Sequence, residues 1–337
     1  MSLDRDISVQ FLCMYDKQED ADDNKYFPSE LFRGFQIQRW QFILSAIKKG
    51  SKSRVVILSH INLLVVGWMI KKISPDTKLV LFAHGIEVWN PLNWEKKRML
   101  DYCDEIISVS QFTNRRVQEL HNVASEKCRV LNNCLDPFLT LPSPLKKEEL
   151  LNKYGFTKNN TILFALSRMS AKERYKGYDI VLEALVSIKI KHPEIRYLLG
   201  GSYDKEEKQL LDQLIIRLDL SENVVIAGYI PDDELSGHFN LADIYIMPSV
   251  KEGFGIVFIE AMYYGLPVIA GNKDGSVDAL CNGKLGLLVD PLNVTEIEEA
   301  VEKIISNKNA YLPDREILME NFSYENYKTK FEQLVDS

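Results

Sequence analysis

The stretch that decides the fold is VKEGFGIVFIEAMYYGLPVIA, residues 250–270. A short apolar run, residues 242–249, precedes it and predicts a buried strand. Gly253 and Gly255 then open an apolar helix that ends at a Gly-Leu-Pro turn, and residues 268–270 predict the next strand. The stretch therefore predicts a β-loop-α-β unit. Its glycine loop exposes backbone N–H groups at a helix N-terminus, which favours an anionic or hydroxyl-rich ligand.

Two carboxylates frame this glycine loop. Glu252 stands at its mouth, and Glu260 lies two turns into the helix. On one interpretation, Glu252 only complements the helix dipole and Glu260 lies on a solvated face. On the other, the helix is buried because it is apolar nearly all round, and a buried carboxylate needs partners such as sugar or ribose hydroxyls.

The same stretch resembles the retaining GT-B glycosyltransferases of group 1, also called family four. The resemblance lies in the Glu-x7-Glu spacing from Glu252 to Glu260 and in the Gly-Phe-Gly, Glu-Ala-Met and Gly-Leu-Pro-Val segments around it. It implies an α/β fold of the GT-B type, with two Rossmann-like domains facing across a cleft. The implied N-terminal acceptor domain covers residues 1–140 and the nucleotide-sugar domain covers 141–321. A C-terminal helix, 322–337, is expected to pack back on the first domain.

Composition is consistent with two globular α/β domains. The chain has 337 residues, of which 46% are hydrophobic and 26% are charged. A net charge of −7 without a long basic tract predicts no nucleic-acid partner. The five cysteines are scattered without metal-type spacing, which predicts reduced thiols in a cytoplasmic protein without a signal peptide. The longest apolar run, residues 61–70, is too short to span a bilayer.

Two candidate site residues fall in the first half of the chain. Apolar spacing predicts a helix over residues 31–49, with Gly34 near its start. The resembling family carries a Gly-Gly pair near the donor phosphates at this junction, so the resemblance implies that Gly34 binds substrate. His84 follows a predicted strand, at the edge of an open α/β sheet where ligands bind. A lone histidine is otherwise a structural residue, but the resemblance implies contact with the donor sugar.

Two cations in the second half of the chain suit a diphosphate. Arg168 follows the predicted strand over residues 161–167, and Lys176 precedes a predicted helix. They match the phosphate-binding arginine and lysine of the resembling family. The alternative is solvated surface charge, which we favour for Lys172 and Arg174.

The resemblance implies a division of roles among the remaining residues. Arg168 and Lys176 stabilise the leaving diphosphate without a metal ion, Glu252 orients the hexose, and Glu260 holds the ribose hydroxyls. The catalytic residues expected are therefore Glu252, His84, Arg168 and Lys176. The other substrate-binding residues expected are Gly228, Tyr229 and Ile230 at the nucleobase, and Gly253, Phe254, Gly255 and Ile256 along the glycine loop.

The implied function is transfer of a hexosyl group, with retention, from a UDP-, GDP- or ADP-sugar to a glycan or lipid-linked acceptor. The expected setting is bacterial glycan, polysaccharide or glycolipid biosynthesis, and no cofactor beyond the donor is expected. A sugar-nucleotide epimerase of related fold is the alternative enzyme. A non-catalytic nucleotide-sugar-binding module is the alternative from another class, although it would be expected to lack Glu252, Arg168 or Lys176.

The predicted first helix also raises the question of membrane contact at the cytoplasmic face. Trp40 lies among six basic residues, Arg33, Arg39, Lys48, Lys49, Lys52 and Arg54. They could form a weak surface for anionic lipid. A core helix with a solvated basic end is the favoured alternative, because the apolar residues are needed inside.

Overall fold

The computed structural model describes residues 8–140, 144–172 and 174–336. The ends of the predicted domains at residues 1–7, 141–143 and 337 lie outside the described residues. The described chain has an α/β fold in which all strands pair in parallel, within sheets of two, four and six strands.

Strands and helices alternate along most of the chain. The strands are β1 Phe11–Cys13, β2 Phe32–Gly34, β3 Val55–Leu58, β4 Lys78–Ala83, β5 Glu105–Ser108, β6 Cys128–Val130, β7 Thr161–Leu166, β8 Ile195–Gly200, β9 Val224–Gly228, β10 Ile244–Met247, β11 Val268–Gly271 and β12 Leu287–Val289. The α-helices are α1 Arg39–Gly50, α2 Leu64–Ile73, α3 Trp94–Leu100, α4 Gln111–His121, α5 Pro144–Tyr154, α6 Tyr178–Lys191, α7 Lys205–Arg217, α8 Asp232–Leu241, α9 Ile256–Tyr263, α10 Ser276–Ala279, α11 Val294–Ser306, α12 Arg315–Phe322 and α13 Tyr324–Asp336.

The chain forms two compact units. Unit 1 comprises Met1–Ser108, Asn114–Val130 and Phe331–Ser337, and unit 2 comprises Val109–Thr113 and Leu131–Lys330. Residues 131–140, which our prediction places in the N-terminal domain, therefore cluster with unit 2.

The end of α13 belongs to unit 1. The Phe331 ring lies 6.1 Å from the ring of Phe82, and Lys78 Nζ donates a hydrogen bond to the Leu334 carbonyl at 3.0 Å. These contacts attach the last turns of the helix to strand β4.

Unit 1 contains a four-stranded sheet in the order β3-β4-β5-β6 and a separate pair, β1-β2. The predicted helix over residues 31–49 is wrong in its first part, because Phe32–Gly34 is β2 and α1 begins only at Arg39. Gln36 and Ile37 have φ angles of 46° and 67°, which a right-handed helix excludes. Pairing with β1 therefore overrides the helical apolar spacing at the start of this segment.

Helix α1 leaves two large apolar side chains in solvent. Phe42 and Ile43 pack into a small core of unit 1. By contrast, Trp40 is 78% exposed and Leu44 is 67% exposed. The expectation that the apolar residues of this helix are needed inside is therefore wrong for Trp40 and Leu44.

Unit 2 is built on a six-stranded sheet in the order β12-β11-β10-β7-β8-β9. Its first strand, β7, is central and the strand order reverses between β7 and β10, as in doubly wound dinucleotide-binding folds. Alternate residues of the central strands enter two separate apolar clusters, for example Phe164 and Leu163 of β7, so both faces of the sheet are covered. Ligands of such sheets bind at the carboxyl edge, where the order reverses.

None of the described helices is long and apolar enough to cross a bilayer.

Candidate active site

The loop after β7 delivers Lys176 to the point where the strand order reverses. A 3₁₀ turn, Arg174–Lys176, leads into Gly177, whose φ of 78° allows the chain to enter α6. A Cβ atom at Gly177 would collide with the carbonyl oxygen of Pro248, just after β10. Val250 N also donates to the Tyr175 carbonyl at 2.9 Å. The Lys176 turn is therefore fastened directly to the end of β10.

Lys176 and Glu252 form an ion pair at this edge of the sheet. The Lys176 Nζ donates to Glu252 Oε1, and their side chains are only 17% and 13% exposed. The two residues are 76 apart in the chain, and the adjacency of β7 and β10 brings them together. A largely buried ammonium beside a carboxylate can bind an anion and a hydroxyl-bearing group at one place.

Arg168 follows β7 and lines a cavity of about 370 Å³ on the same side of unit 2. The other residues that line the cavity are Ser170, Lys172, Ser202, Tyr203 and Asp204. Lys172, which we assigned to solvated surface, thus shares the cavity wall with Arg168. A volume of this size is within the range of small-molecule sites.

Arg174 is solvated as expected, with 45% of its side chain exposed, but it also forms an ion pair that the sequence did not indicate. Its Nε donates to the carboxylate of Glu207 at 3.0 and 3.2 Å, and Glu207 is buried. Spacing along the sequence could not show this contact, because Arg174 lies in the 3₁₀ turn after β7 and Glu207 lies in the first turn of α7.

Asp274 holds the mouth of the glycine loop, and sequence analysis missed it. The almost fully buried Asp274 carboxylate accepts hydrogen bonds from Glu252 N and Ser249 Oγ, both at 2.7 Å, and from Ser276 N at 2.9 Å. Gly275 N donates back to the Glu252 carbonyl at 2.8 Å. Burial raises the pKa of Asp274 to about 6, although these hydrogen bonds favour its ionised form.

Asp274 should make turnover depend on pH near 6. The Glu252 N–H donates to Asp274 Oδ2 and the Ser276 N–H donates to Asp274 Oδ1. Protonation of either oxygen therefore weakens the hydrogen bond that this oxygen accepts. We therefore expect kcat to fall as pH drops through about 6. Asp274→Asn should give a low kcat at all pH values and lose this acid limb. A pH–rate profile of both proteins checks this, and a variant that retains the wild-type acid limb would contradict it.

Glu260 is a half-buried carboxylate on α9. Among the residues that the structure describes, none makes a hydrogen bond or ion pair with its side chain. Burial raises the pKa of Glu260, and the negative charges of Asp136 and Asp232 raise it further. A carboxylate that is buried without a hydrogen-bond donor costs free energy, and a ligand hydroxyl that donates to Glu260 could offset this cost.

The glycine loop combines a core anchor with open backbone. Gly255 has a φ of 82°, and a Cβ atom there would collide with the Phe258 ring. Phe254 is buried in the core, with its ring 5.6 Å from that of Phe322, so only its backbone is available to a ligand. Ile256, the first residue of α9, is exposed.

The predicted nucleobase residues follow β9. Gly228 has a φ of 74°, and a Cβ atom at this position would lie 3.6 Å from the ring of Tyr203. Tyr229 is exposed, whereas Ile230 is buried in the core of unit 2. Any ligand contact with Ile230 is therefore through its backbone.

His84 and Gly34 lie in unit 1. His84 is exposed at the carboxyl end of β4, where its Nε2 contacts the Ser59 carbonyl at 3.0 Å. Glu87 accepts hydrogen bonds from His84 N at 2.6 Å and Gly85 N at 3.2 Å, which fixes the backbone of this tip. Gly34 ends β2, and its N–H donates to Gln18 Oε1 at 3.3 Å.

Within the described ranges, no three His, Cys, Asp or Glu side chains cluster in a way that could hold a metal ion.

Comparison with known proteins identifies the class. Residues 146–328 match the family described as glycosyl transferases group 1, and residues 3–137 match glycosyltransferase family 4. The chain belongs to the glycosyl transferases of group 1, as its glycine-loop stretch indicates.

Two curated relatives illustrate the range of this class. The chain is 29% identical over 251 residues to the GDP-mannose-dependent alpha-(1-6)-phosphatidylinositol monomannoside mannosyltransferase of Mycobacterium tuberculosis, covering 71% of this chain and 63% of the relative. It is 25% identical over 204 residues to the alpha-D-kanosaminyltransferase of Streptomyces kanamyceticus, covering 60% of this chain and 49% of the relative. The matches thus span less than two thirds of each relative's length.

Solved structures share the fold. HepE of Anabaena, in complex with UDP and glucose, superposes with a TM-score of 0.78 at 20% identity, covering 91% of this chain and 87% of HepE. Sucrose-phosphate synthase of Thermosynechococcus elongatus superposes with a TM-score of 0.72 at 20% identity, covering 94% and 81%. The predicted fold class, α/β of the GT-B type with two Rossmann-like domains, is confirmed.

Proposed function

We propose that this protein transfers a hexosyl group from a nucleoside-diphosphate sugar to an acceptor hydroxyl, with retention of configuration. The observation that carries the proposal is the Lys176–Glu252 ion pair beside the glycine loop, where the strand order of unit 2 reverses. A diphosphate and a sugar are the two halves of such a donor. The site offers a cation for the first and a carboxylate with open backbone for the second.

The cations of the loop after β7 stabilise the charge that develops on the leaving group. Arg168 and Lys176 bind the diphosphate, and their contacts strengthen as the glycosidic bond breaks and negative charge accumulates on the phosphate oxygen. In this proposal they supply the stabilisation that a metal ion provides in other phosphate-transfer sites. Cation and bound anion interact strongly here because the Lys176 side chain is largely buried.

The two carboxylates, Glu252 and Glu260, contact different parts of the donor. Glu252 and the backbone N–H groups of the glycine loop orient the hexose, while Glu260 accepts hydrogen bonds from the ribose hydroxyls. His84 contributes a further contact to the donor sugar. The leaving phosphate takes the proton of the acceptor hydroxyl on the face from which it departs, so the new bond forms on that face and configuration is retained.

Similar proteins support the donor class. HepE is described in complex with UDP and with UDP-glucose, and the mycobacterial relative is named as GDP-mannose-dependent. A UDP-, GDP- or ADP-sugar is therefore our proposal for the donor of this chain. Gly228, Tyr229 and Ile230 would present the backbone that binds the base.

The acceptor in this proposal is a glycan or a lipid-linked glycan. The mycobacterial relative is named for a phosphatidylinositol monomannoside acceptor, which supports this class. We place the reaction in bacterial glycan, polysaccharide or glycolipid biosynthesis, in the cytoplasm or at the inner face of the membrane.

A screen of nucleotide sugars by thermal shift tests the donor proposal. A ligand that binds the folded state raises the apparent Tm. At a hundredfold excess over Kd it increases the free energy of unfolding by about 2.7 kcal/mol. At least one UDP-, GDP- or ADP-hexose should raise the Tm of the wild type and raise it less in Lys176→Ala. A sugar-nucleotide epimerase would also bind but would isomerise the donor without acceptor. A binding module would bind without turnover, and the absence of any shift would contradict all three.

The exposed face of α1 supports a peripheral contact with anionic membrane. Trp40, Leu44 and Lys48 follow one another at helical spacing on the side of α1 away from its core contacts. From residue 32 to 75 the sequence contains eight basic residues and no acidic one. An exposed tryptophan and leucine in a segment rich in basic residues match the interfacial and headgroup regions of an anionic bilayer.

Flotation with liposomes tests this surface. The wild type should float with vesicles that contain phosphatidylglycerol and not with neutral phosphatidylcholine vesicles, and added salt should weaken the binding. Trp40→Ala with Leu44→Ala should abolish flotation, because each removes apolar area that inserts at the interface. Trp94→Ala removes another exposed tryptophan of unit 1 and serves as the matched control. Flotation independent of anionic lipid, or unchanged in the double variant, would contradict the proposal.

A further inference from the structure

Glu207 is a buried carboxylate that no step of the proposed reaction uses. It lies in the first turn of α7, where Asp204 Oδ1 accepts a hydrogen bond from its N–H at 2.8 Å. Its side chain accepts from Arg174 Nε at 3.0 and 3.2 Å and from Tyr178 OH at 3.0 Å. A buried carboxylate is costly unless it is paired and hydrogen-bonded, and Glu207 meets both conditions.

The two donors to Glu207 flank Lys176 in the chain. Arg174 opens the 3₁₀ turn that ends at Lys176, and Tyr178 is the first residue of α6, immediately after Gly177. One carboxylate thus holds both ends of the five-residue segment with Lys176 at its centre. Tyr178 is itself buried, and burial raises the pKa of its phenol, so the phenol remains a hydrogen-bond donor.

A second anchor fixes the same segment from the opposite side. Val250 N donates to the Tyr175 carbonyl, and Gly177 packs directly against the Pro248 carbonyl. The backbone of Lys176 is therefore held between the start of α7 and the end of β10. The side chain of lysine has four rotatable bonds, so the position of its Nζ depends on how firmly its backbone is held.

We propose that Glu207 is a positioning residue that fixes Lys176 for the leaving diphosphate, acting through Arg174 and Tyr178. This inference rests on the proposed function, in which Lys176 binds the diphosphate. Glu207 itself touches neither donor nor acceptor. Its contribution is to prevent displacement of the Lys176 backbone, since a shift of about 1 Å at a reacting group can cost about a hundredfold in rate.

A double-mutant cycle with Lys176 tests the inference. Glu207→Gln keeps the shape of the side chain but loses the charge that attracts Arg174. It should weaken nucleoside diphosphate binding by about tenfold in the wild-type background, because one charge-assisted contact is displaced. In the Lys176→Ala background the same change should have less than about a twofold effect, because residues that act as one unit are not additive. Calorimetry with UDP, GDP and ADP supplies the Kd values.

A nucleoside without phosphates separates positioning from general loss of structure. Glu207→Gln should bind the bare nucleoside as the wild type does, whereas damage to unit 2 as a whole would weaken both ligands. Tyr178→Phe provides a second variant that keeps the ring packing and removes one donor to Glu207. Asp243→Asn is the control, because Asp243 also joins two parts of unit 2 through Ile162 N and Lys308, at the amino ends of β7 and β10. It should lower Tm and leave diphosphate affinity unchanged.

The outcomes distinguish this inference from the proposed function. If the wild type binds none of the nucleoside diphosphates, the proposed function fails. If the wild type binds one and Lys176→Ala weakens it, but Glu207→Gln and Tyr178→Phe bind like the wild type, only the positioning role is overturned. Equal losses from Glu207→Gln in both backgrounds would also overturn it, because they would show an effect independent of Lys176.

Discussion

Replacing Lys176 by alanine should lower kcat by about a hundredfold or more while the protein stays folded, and Arg168→Ala should act similarly. Both cations contact the diphosphate in our proposal, and these contacts strengthen as the bond to the hexose breaks. The removal of an interaction that is stronger in the transition state reduces kcat and kcat/KM together. Steady-state kinetics with a saturating donor supplies both parameters.

The Lys176 variant needs a control for stability and for charge. Removal of the Lys176 ammonium leaves the largely buried Glu252 carboxylate without its cation, so the Tm of Lys176→Ala should fall. Turnover should therefore be measured well below that Tm. Lys273→Ala is a matched control, because Lys273 also pairs with a carboxylate of unit 2, Asp290, at 2.7 Å, but at the protein surface. It should leave kcat unchanged. Wild-type kcat in both Lys176→Ala and Arg168→Ala would reject the assignment of the phosphate contacts.

The two glutamates of the glycine-loop unit should respond differently to the same substitution. Glu260→Gln should mainly raise the KM for the donor, because ribose hydroxyls are bound equally in the ground and transition states. Glu252→Gln should mainly lower kcat, because Glu252 lies at the loop beside the reacting sugar. Nucleoside diphosphate affinity should not weaken in Glu252→Gln, since Lys176 remains available to the phosphates.

Stability provides an independent signature of the Glu260 site. Burial and the negative charges of Asp136 and Asp232 raise the pKa of Glu260, so the ionised side chain is less favourable in the folded than in the unfolded state. At pH values above its folded-state pKa, this charge lowers stability, and Glu260→Gln removes it. The ligand-free variant should therefore have a Tm at least equal to that of the wild type, although its donor affinity is lower.

Calorimetry with the bare nucleoside diphosphate decides between the two assignments. Loss of affinity in Glu252→Gln with retention in Glu260→Gln would reverse the roles of the two glutamates. Equal losses in both variants would contradict the division between ribose and hexose.

The sequence predicts local elements well where the apolar pattern and the turn residues agree. The β10-loop-α9-β11 unit is confirmed, because its apolar runs are separated by glycines that need positive φ or a close approach to the backbone. The start of α1 was not predictable, since the β1-β2 pairing and the positive φ of Gln36 and Ile37 override a helical apolar pattern. The same pattern gave no sign that Trp40 and Leu44 are left in solvent.

Contacts between loops depend on strand order, which a single sequence does not contain. The sequence indicated Lys176 and Glu252 separately, but their ion pair exists because β7 and β10 are neighbours. Asp274 was missed for a related reason. It lies in a short polar segment of the kind that is usually solvated, and only the fold shows that its carboxylate is buried beneath Glu252. The chemical roles of these residues stay predictions until the variants are measured.

The central claim is tested most directly by following the sugar with NMR. The protein is incubated with UDP-, GDP- or ADP-hexoses whose sugar is α-linked to the diphosphate, and the released or transferred sugar is observed before its anomers equilibrate. We predict that the α-anomer appears first, at a rate that falls about a hundredfold or more in Lys176→Ala. Initial appearance of the β-anomer would contradict retention. An isomerised nucleotide sugar with its phosphate bond intact would contradict glycosyl transfer and identify an epimerase.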